Sequence, residues 1–468
     1  MRYTLTLQEL HLKQLSELSG LTDTKKGITI ALCGMSRTAN DLWDGGPEIR
    51  FLSKDVIHIL DEEIVESGEK HGILNSSVFQ NTIQRAKNEN LAICLVNSQP
   101  IGDTLSSDTN ALSESIFNYL HKETGSTLGL LNLLIAPDGQ LTAHVYSAQK
   151  HHVVKLIRVL GDRFSFFYDE KLSSQTREEF DRQALALGPA LTTDLSKLRI
   201  AVVGCGATGS ATAHLLARLG VGQLLLIDKD VVERSNLSRL YGARTSDADL
   251  GQPKAQILAA YLANIGIGCR IRYFTTWVGD SSCRDALKSC DIVFSCTDDN
   301  SGRIFLNRLS YFYLIPVFDM GISIDPLLKP EIGLHSAQGR FTVLQPGNTC
   351  LMCRNVVNRA LAHEEQLKRN DPDGYERLKE EAYVTGSGNP SPAVITFTSE
   401  VATMSVNELI NRLTGFKKLG PEHHVVRFFD QGVDRRPPPK DNPDCPICKE
   451  QYYWGRGDIT PFLDQINQ

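Results

Sequence analysis

Five short groups of residues between Arg182 and Asp298 have the types and the order that nucleotide chemistry needs. The first is Gly204-Cys205-Gly206-Ala207-Thr208-Gly209, directly after the apolar run Ile200-Ala201-Val202-Val203. A buried strand that runs into such a turn brings backbone N–H groups and the positive end of a helix dipole against a phosphate. The second is Asp228, which ends Leu224-Leu225-Leu226-Ile227 and lies 19 residues past Gly209. An acid at the tip of the next strand accepts hydrogen bonds from ribose hydroxyls. Taken this far, the pattern also fits an NAD(P)-dependent oxidoreductase.

The remaining groups change that balance. Asn236 and Arg239 stand in Asn236-Leu237-Ser238-Arg239, and Lys254 ends Gly251-Gln252-Pro253-Lys254. Hydride transfer has no need of paired cations beyond the ribose acid, whereas a triphosphate does. A guanidinium grips two phosphate oxygens, and an ammonium neutralises charge on a leaving pyrophosphate. Asp298 closes Cys296-Thr297-Asp298 after a third apolar run and is placed to hold Mg²⁺ against those phosphates. Read singly, Arg239 and Lys254 would be solvated surface charges. As an ordered set with Asp228 and Asp298 they indicate ATP and adenylyl transfer.

The cysteines supply a second site. Of eleven, four form Cys350-Leu351-Met352-Cys353 and Cys445-Pro446-Ile447-Cys448. Two such knuckles suit a tetrahedral Zn²⁺. The 91 residues between them exceed any zinc ribbon, so the metal would clip distant segments together. The other seven are scattered as buried thiols usually are, with no disulfide framework, which fits a reducing cytoplasmic setting.

On these residues the stretch from about Phe180 to Phe429 resembles the ThiF/MoeB family and the adenylation domain of ubiquitin-activating enzymes. Gly204, Gly206 and Gly209 match its glycine loop, with Ala207 where the family usually has glycine. Asp228, Asn236, Arg239, Lys254 and Asp298 match its ribose, phosphate and magnesium residues, and the four cysteines its structural zinc. Phe180-Asp181-Arg182-Gln183 matches an element whose arginine reaches the ATP of the partner subunit, so the resemblance implies a homodimer with Arg182 acting across it. It further implies activation of the C-terminal carboxylate of a ubiquitin-like protein, with a ubiquitin-conjugating-enzyme-like protein downstream. A sulfur-carrier protein or a peptide is the alternative substrate. Conjugating members carry a cysteine on the segment crossing the active site, yet no cysteine lies between Cys353 and Cys445. In the corresponding stretch, Ala382 to Pro392, the hydroxyls of Thr385, Ser387 and Ser391 are candidates for an oxyester. Ser387 ranks first because flanking glycines let the loop approach closely.

The elements that must position these residues form an α/β chain of two domains. The second, 176–468, is expected to be a Rossmann-like adenylation domain carrying the Cys₄ zinc site. The first, 1–165, reads as a smaller α/β domain with strands at Ile28–Cys33 and Leu91–Val96 and a helix over Ser77–Lys87. A hairpin follows, turning at Pro137-Asp138-Gly139, and Phe164–Tyr168 reads as the last strand before a polar linker, Lys171–Gln175. Val96-Asn97-Ser98-Gln99-Pro100, with Ser107 and Asn110 beyond it, is similar to the metal motif of JAB/MPN isopeptidases. Asn97 and Gln99 replace its two histidines, Asn110 replaces its aspartate, and the spacer to Ser107 is one residue short. Neutral amides are poor zinc ligands, so the resemblance implies a JAB-like domain without its metal. His58, His144, His151 and His152 read as surface or satisfied core residues.

Composition bounds the partners. A net charge of −6 over 468 residues gives no basic footprint for nucleic acid. No apolar run approaches the roughly 20 residues of a membrane helix. The opening Met1-Arg2-Tyr3-Thr4-Leu5 lacks the apolar core of a signal peptide, so a cytoplasmic location is expected.

Overall fold

The computed structural model describes residues 1–18, 27–60, 77–98, 107–124, 129–146, 151–170, 177–326, 334–380, 392–440 and 442–464. Its backbone divides into two units. One comprises Met1–Leu172 with Phe312–Leu314 and Tyr452–Ile466; the other holds most of the rest. The division at 165–176 drawn from the sequence does not anticipate that these two later segments pack with the first unit. The linker Lys171–Gln175 lies outside the described residues.

The first unit is built on a sheet of strands β1 (Arg2–Gln8), β2 (Gly27–Thr38), β3 (Glu48–Leu60), β4 (Ala92–Ser98), β5 (Leu130–Ile135), β6 (Leu141–Tyr146), β7 (His151–Val153), β8 (Leu156–Leu160) and β9 (Phe164–Tyr168). Their order is β7-β6-β5-β4-β2-β3-β1-β8-β9. β1 pairs in parallel with both β3 and β8, so the first strand of the chain lies inside the sheet. β5 and β6 make the expected hairpin, with Leu130 opposite Tyr146. The helix expected over Ser77–Lys87 spans Ser77–Glu89. Alternation along the strands sorts side chains to two cores, as a period of two dictates. Ile30, Leu32, Ile93 and Leu95 pack with Phe79 and Ile83 of that helix and with Ile116 and Leu120 of the helix Ser107–Thr124. Ala31, Cys33, Cys94 and Val96 belong to the other core, with Leu15 of the helix Glu9–Leu18.

The second unit carries β10 (Arg199–Val203), β11 (Gln223–Ile227), β12 (Arg270–Phe274), β13 (Ile292–Ser295), β14 (Val317–Pro326), β15 (Leu334–Leu344), β16 (His424–Phe428) and β17 (Val433–Arg435). The order is β12-β11-β10-β13-β14-β15-β16-β17. Pairings are parallel from β12 to β14 and antiparallel beyond. β10 is buried along its whole length, because helices cover both faces of such a sheet. β11 and β13, which follow β10 in sequence, pair on opposite sides of it. The strand order therefore reverses at β10, and a crevice opens beyond the carboxyl ends of these strands.

Candidate active site

The glycine turn, Asp228 and Asp298 are each delivered to this crevice by a strand end. β10 leads into Gly204, whose φ of +86° is a conformation that side chains rarely adopt. A Cβ there would stand 2.7 Å from the backbone nitrogen of Thr297. Gly206 caps the helix Ala207–Arg218, and Gly209, buried on its first turn, packs against the Gly204 carbonyl. Bulk at either glycine would separate the glycine turn from the β13 end or from its own helix.

β11 delivers Asp228, which is nearly buried. Its Oδ2 accepts from the Cys205 backbone N–H at 2.6 Å and its Oδ1 from that of Asp230 at 2.8 Å. Burial pushes this carboxyl up, and the Lys254 ammonium draws it down. Lys254 opens the helix Lys254–Ala263 and reaches Asp230 Oδ2 at 3.1 Å. Arg239 donates from Nη1 to the Ser235 carbonyl at 2.6 Å, and the Asn236 side chain accepts from the Glu233 N–H at 3.1 Å. Both sit on the loop between β11 and Lys254, and both have polar atoms engaged locally.

β13 delivers Cys296, Thr297 and Asp298, the last of them exposed. Gly204, Gly206, Asp228, Asn236, Arg239, Lys254 and Asp298 all line one cleft of about 490 Å³, a size within the range of small-molecule sites. The exposed Asp298 carboxylate at the cleft wall has the hard oxygen donors that Mg²⁺ takes.

The cleft also holds residues that the motifs did not name. Arg303, Trp277, Thr276, Pro392, Ala393 and Thr398 line it as well. Arg303 sits in the first turn of the helix Asn300–Tyr313, where a cation opposes the helix dipole. That placement was the available signal, since it makes sense only beside negative charge. Asp319, fully buried at β14, holds Arg303 Nε at 3.5 Å and Arg340 Nη1 at 2.7 Å. Ser295 Oγ donates to Asp319 at 2.7 Å, and Arg303 Nη2 donates to the Met320 carbonyl at 3.1 Å.

Among the described residues, two expected at the site, Gly209 and Arg182, do not line this cleft. Arg182 is exposed on the helix Asp181–Leu187. Ser387, Thr385 and Ser391 lie outside the described residues; the described chain resumes at Pro392 and Ala393, at the cleft. In the first unit, Asn97 Nδ2 donates to Asn132 Oδ1 at 2.8 Å, and Asn132 Nδ2 donates to Ser113 Oγ at 3.0 Å. Gln99 is outside the described residues, while Ser107 and Asn110 fall in the helix Ser107–Thr124.

The four knuckle cysteines converge. Their sulfurs all lie within 4.8 Å of one another, and all four residues are buried. Cys350 stands 3.7 Å from Cys445, and Cys448 stands 3.7 Å from Cys353. A tetrahedron with Zn–S bonds of about 2.3 Å requires sulfurs about 3.8 Å apart, so the spacing fits zinc. Asn442 Nδ2 donates to Cys353 Sγ at 3.7 Å, a contact that favours a thiolate. Cys283 is buried, and its thiol is pushed up to about 12 by burial, as an unreactive thiol would be.

Comparison with known proteins agrees with this geometry. Residues 180–447 match the ThiF family. The chain belongs to that family. Among relatives, it is 26% identical over 269 residues to the SAMP-activating enzyme E1 of Haloferax volcanii, covering 56% of this chain and 85% of the relative. It is 30% identical over 187 residues to the molybdopterin-synthase adenylyltransferase of Escherichia coli, covering 39% of this chain and 70% of that one. It is 26% identical over 270 residues to ubiquitin-like modifier-activating enzyme 5 of Oryza sativa, covering 54% of this chain and 57% of that one. The ThiF match takes in the glycine turn, every expected nucleotide residue and three of the knuckle cysteines, ending one residue before Cys448.

Proposed function

We infer that this ThiF-family chain adenylylates the C-terminal carboxylate of a ubiquitin-like protein, using ATP. One observation carries the reading: Asp228, Asn236, Arg239, Lys254, Arg303 and Asp298 meet in a single cleft around a glycine turn. An oxidoreductase cleft has no use for three cations beside an exposed acid. Relatives named for activation of ubiquitin-like modifiers and for adenylyl transfer support the same reaction class.

In this reaction a carboxylate oxygen of the small protein attacks the α-phosphorus of ATP. A P–O bond forms, the bond to the β-phosphate oxygen breaks, and pyrophosphate leaves with its electron pair. Asp228 orients the ribose, and the turn at Gly204–Gly206 receives the phosphates. Lys254, Arg239 and Arg303 offset the negative charge that gathers on the phosphates as the bond breaks. Such preorganised charge is worth more inside a cleft than in water. Asp298 would hold Mg²⁺, which would supply positive charge against the repulsion between the phosphates and the incoming carboxylate.

Assembly and later steps extend the proposal. A homodimer would bring Arg182 of one subunit to the ATP of the other. A hydroxyl of the crossing segment, Ser387 foremost, would take the acyl group as an oxyester, and a ubiquitin-conjugating-enzyme-like protein would receive it. Zn²⁺ at Cys350, Cys353, Cys445 and Cys448 would be structural. The first unit would be a JAB-like domain lacking its metal, and the protein cytoplasmic; these two points rest on the sequence. A sulfur-carrier protein or a peptide remains the alternative substrate, supported by the molybdopterin-synthase relative.

The test is direct. The full chain is incubated with ATP, and the small protein retained on it is identified by mass spectrometry and used in ATP–pyrophosphate exchange. Exchange that requires this protein supports the reading. No exchange with any retained protein, or NAD(P) binding in the cleft, overturns it. Treating the product with hydroxylamine and separately with thiol then tests the oxyester, which resists thiol and is absent in Ser387→Ala.

A further inference from the structure

The segment between the zinc knuckles contributes a helix that no nucleotide motif includes. Asn358 caps the helix Arg359–Asn370, its Oδ1 accepting from the Ala360 and Leu361 N–H groups. This helix is interlocked with the start of the helix Asn300–Tyr313, two residues beyond Asp298. Asn300 Oδ1 accepts from the Asn358 N–H at 2.9 Å. In return, Glu365 Oε1 accepts from the Asn300 N–H at 3.0 Å and from Asn300 Nδ2 at 3.2 Å, while Glu365 Oε2 accepts from the Ser301 N–H at 2.8 Å. A carboxylate at a helix N-terminus satisfies donors that the helix itself leaves unmatched and complements its dipole.

One turn further along, Arg369 reaches the same place and a second one. Its Nη1 donates to Ser301 Oγ at 3.2 Å, and its guanidinium lies 3.5 Å from the centre of the Trp277 ring. Trp277 belongs to the loop after β12 and lines the cleft on the Asp228 side, whereas the Asp298 loop lines it after β13. Glu365 and Arg369 are four residues apart, so both project from one face of their helix. That face touches both loops at once.

We propose that Glu365 and Arg369 form a clip of positioning residues for the nucleotide reaction. Glu365 fixes the loop that presents Asp298, and so sets how well the site takes Mg²⁺. Arg369 fixes the Trp277 wall, and so sets how well it takes the nucleotide. Neither residue touches the reacting atoms. This inference rests on the adenylylation reading, because it takes Asp298 as the magnesium residue.

The two residues should act on separable quantities, which loss of packing alone would not do. The probe is α,β-methylene-ATP with Mg²⁺, titrated calorimetrically into the full chain, with the thermal midpoint followed in parallel. Glu365→Gln is isosteric but presents an amide N–H₂ to a backbone N–H, so it cannot accept all three bonds. Glu365→Ala and Glu365→Gln should each raise the half-saturating Mg²⁺ concentration about tenfold or more, with little change in nucleotide affinity at saturating Mg²⁺. Arg369→Ala and Arg369→Lys should each weaken nucleotide binding about three- to tenfold, because lysine keeps the charge but not the planar stack, and should leave the Mg²⁺ requirement unchanged. If the wild type binds the probe and all four variants match it, the clip is refuted while the adenylylation reading stands. If all four move both quantities together, in step with a lowered thermal midpoint, the effect is general loosening and the clip is again refuted. If the wild type shows no Mg²⁺-dependent binding, the adenylylation reading falls and takes the clip with it.

Discussion

The two units of this chain place their inward-facing polar groups differently. In the first, polar side chains are consumed by one another along the sheet. Thr4 donates to Glu48 at 3.1 Å, Arg50 lies 3.6 Å from the same carboxylate, Ser53 accepts from the Gln8 N–H at 2.9 Å, and Asn97, Asn132 and Ser113 form a chain. In the second, polar groups at the ends of β10, β11 and β13 turn outward to a common cleft. Networks of the first kind give a sheet its register and rigidity. An array of the second kind leaves charge facing a cavity, which is costly unless a ligand completes it. The proposed adenylylation is therefore placed in the second unit, and the predictions below strain the two units in turn.

The largest effect is expected from the metal. One zinc per chain should copurify, held by Cys350, Cys353, Cys445 and Cys448. Structural zinc contributes on the order of 10 kcal/mol or more in zinc peptides. Cys445→Ser should lose the metal and collapse the folding of the second unit. A second zinc per chain, or one that survives Cys445→Ser, breaks the assignment.

Next come the charges at the cleft. Lys254→Ala and Asp298→Ala should each lower ATP–pyrophosphate exchange about 10²–10³-fold, with the thermal midpoint close to wild type. Exchange that persists in both would remove the contrast between the units. The shared-site expectation sharpens it further: mixing Arg182→Ala with Asp228→Ala subunits should restore part of the activity, since one mixed site keeps both residues.

What was legible in the sequence follows the same division. Asp228, Lys254, Asp298 and the cysteines were readable because a strand end, a helix start after Pro253 or a Cys-x-x-Cys knuckle places each of them locally. Arg303 was readable only in hindsight, and Glu365 and Arg369 not at all, because their partners lie tens of residues away and meet only through packing. In the first unit the hairpin of β5 and β6 was legible from its turn, whereas β1 between β3 and β8 was not. Parallel pairing leaves no turn signature, and the alternation Thr4-Leu5-Thr6-Leu7 marks a strand without naming its partners.

Acid should stress both units through one histidine each. His11 in the first is held at about 4, chiefly by burial and with Lys54 adding to it against Asp55. His424 in the second is held at about 4, chiefly by burial and then by Arg354 and Arg340, against Asp319. The unfolded chain protonates each near its ordinary value of 6.5, before the folded chain does. The contribution is thus intact above about pH 7 and is lost between roughly 6.5 and 4, on the order of 3 kcal/mol for the more buried His11 and less for His424, where solvent screens the charge. His11→Asn and His424→Asn should each flatten the fall in denaturant-unfolding stability between pH 7 and pH 5. An unchanged slope in either would mean that its histidine takes up a proton as readily in the folded chain as in the unfolded one.

The smallest effect should come from a seam inside the first unit. Residues Tyr452 to Asp464 lie along β2 and β3, far from them in sequence. Gly457 bridges to Met35, the Asp458 N–H donates to the Met35 carbonyl at 2.8 Å, and Asp458 Oδ2 and Oδ1 accept from the Arg37 N–H at 2.6 Å and the Tyr313 hydroxyl at 2.8 Å. Lys54 donates to the Tyr452 carbonyl and lies over its ring. Gly34 makes this approach possible, because a Cβ there would overlap the Gly455 carbonyl oxygen. Backbone on both sides cannot give way as a flexible side chain would. Gly34→Ala should therefore lift the segment at a cost of about 1–3 kcal/mol, and Asp458→Ala should do so by stranding two donors at a similar cost. Limited proteolysis reads the result: cleavage after Tyr452 should speed up in both variants, while binding of Mg²⁺ and α,β-methylene-ATP stays at the wild-type level. Unchanged proteolysis would show that the segment is held by its apolar anchors, Trp454 and Leu463, rather than by this seam. Weakened nucleotide binding would show instead that the first unit supports the cleft, and the separation of roles between the units would have to be given up.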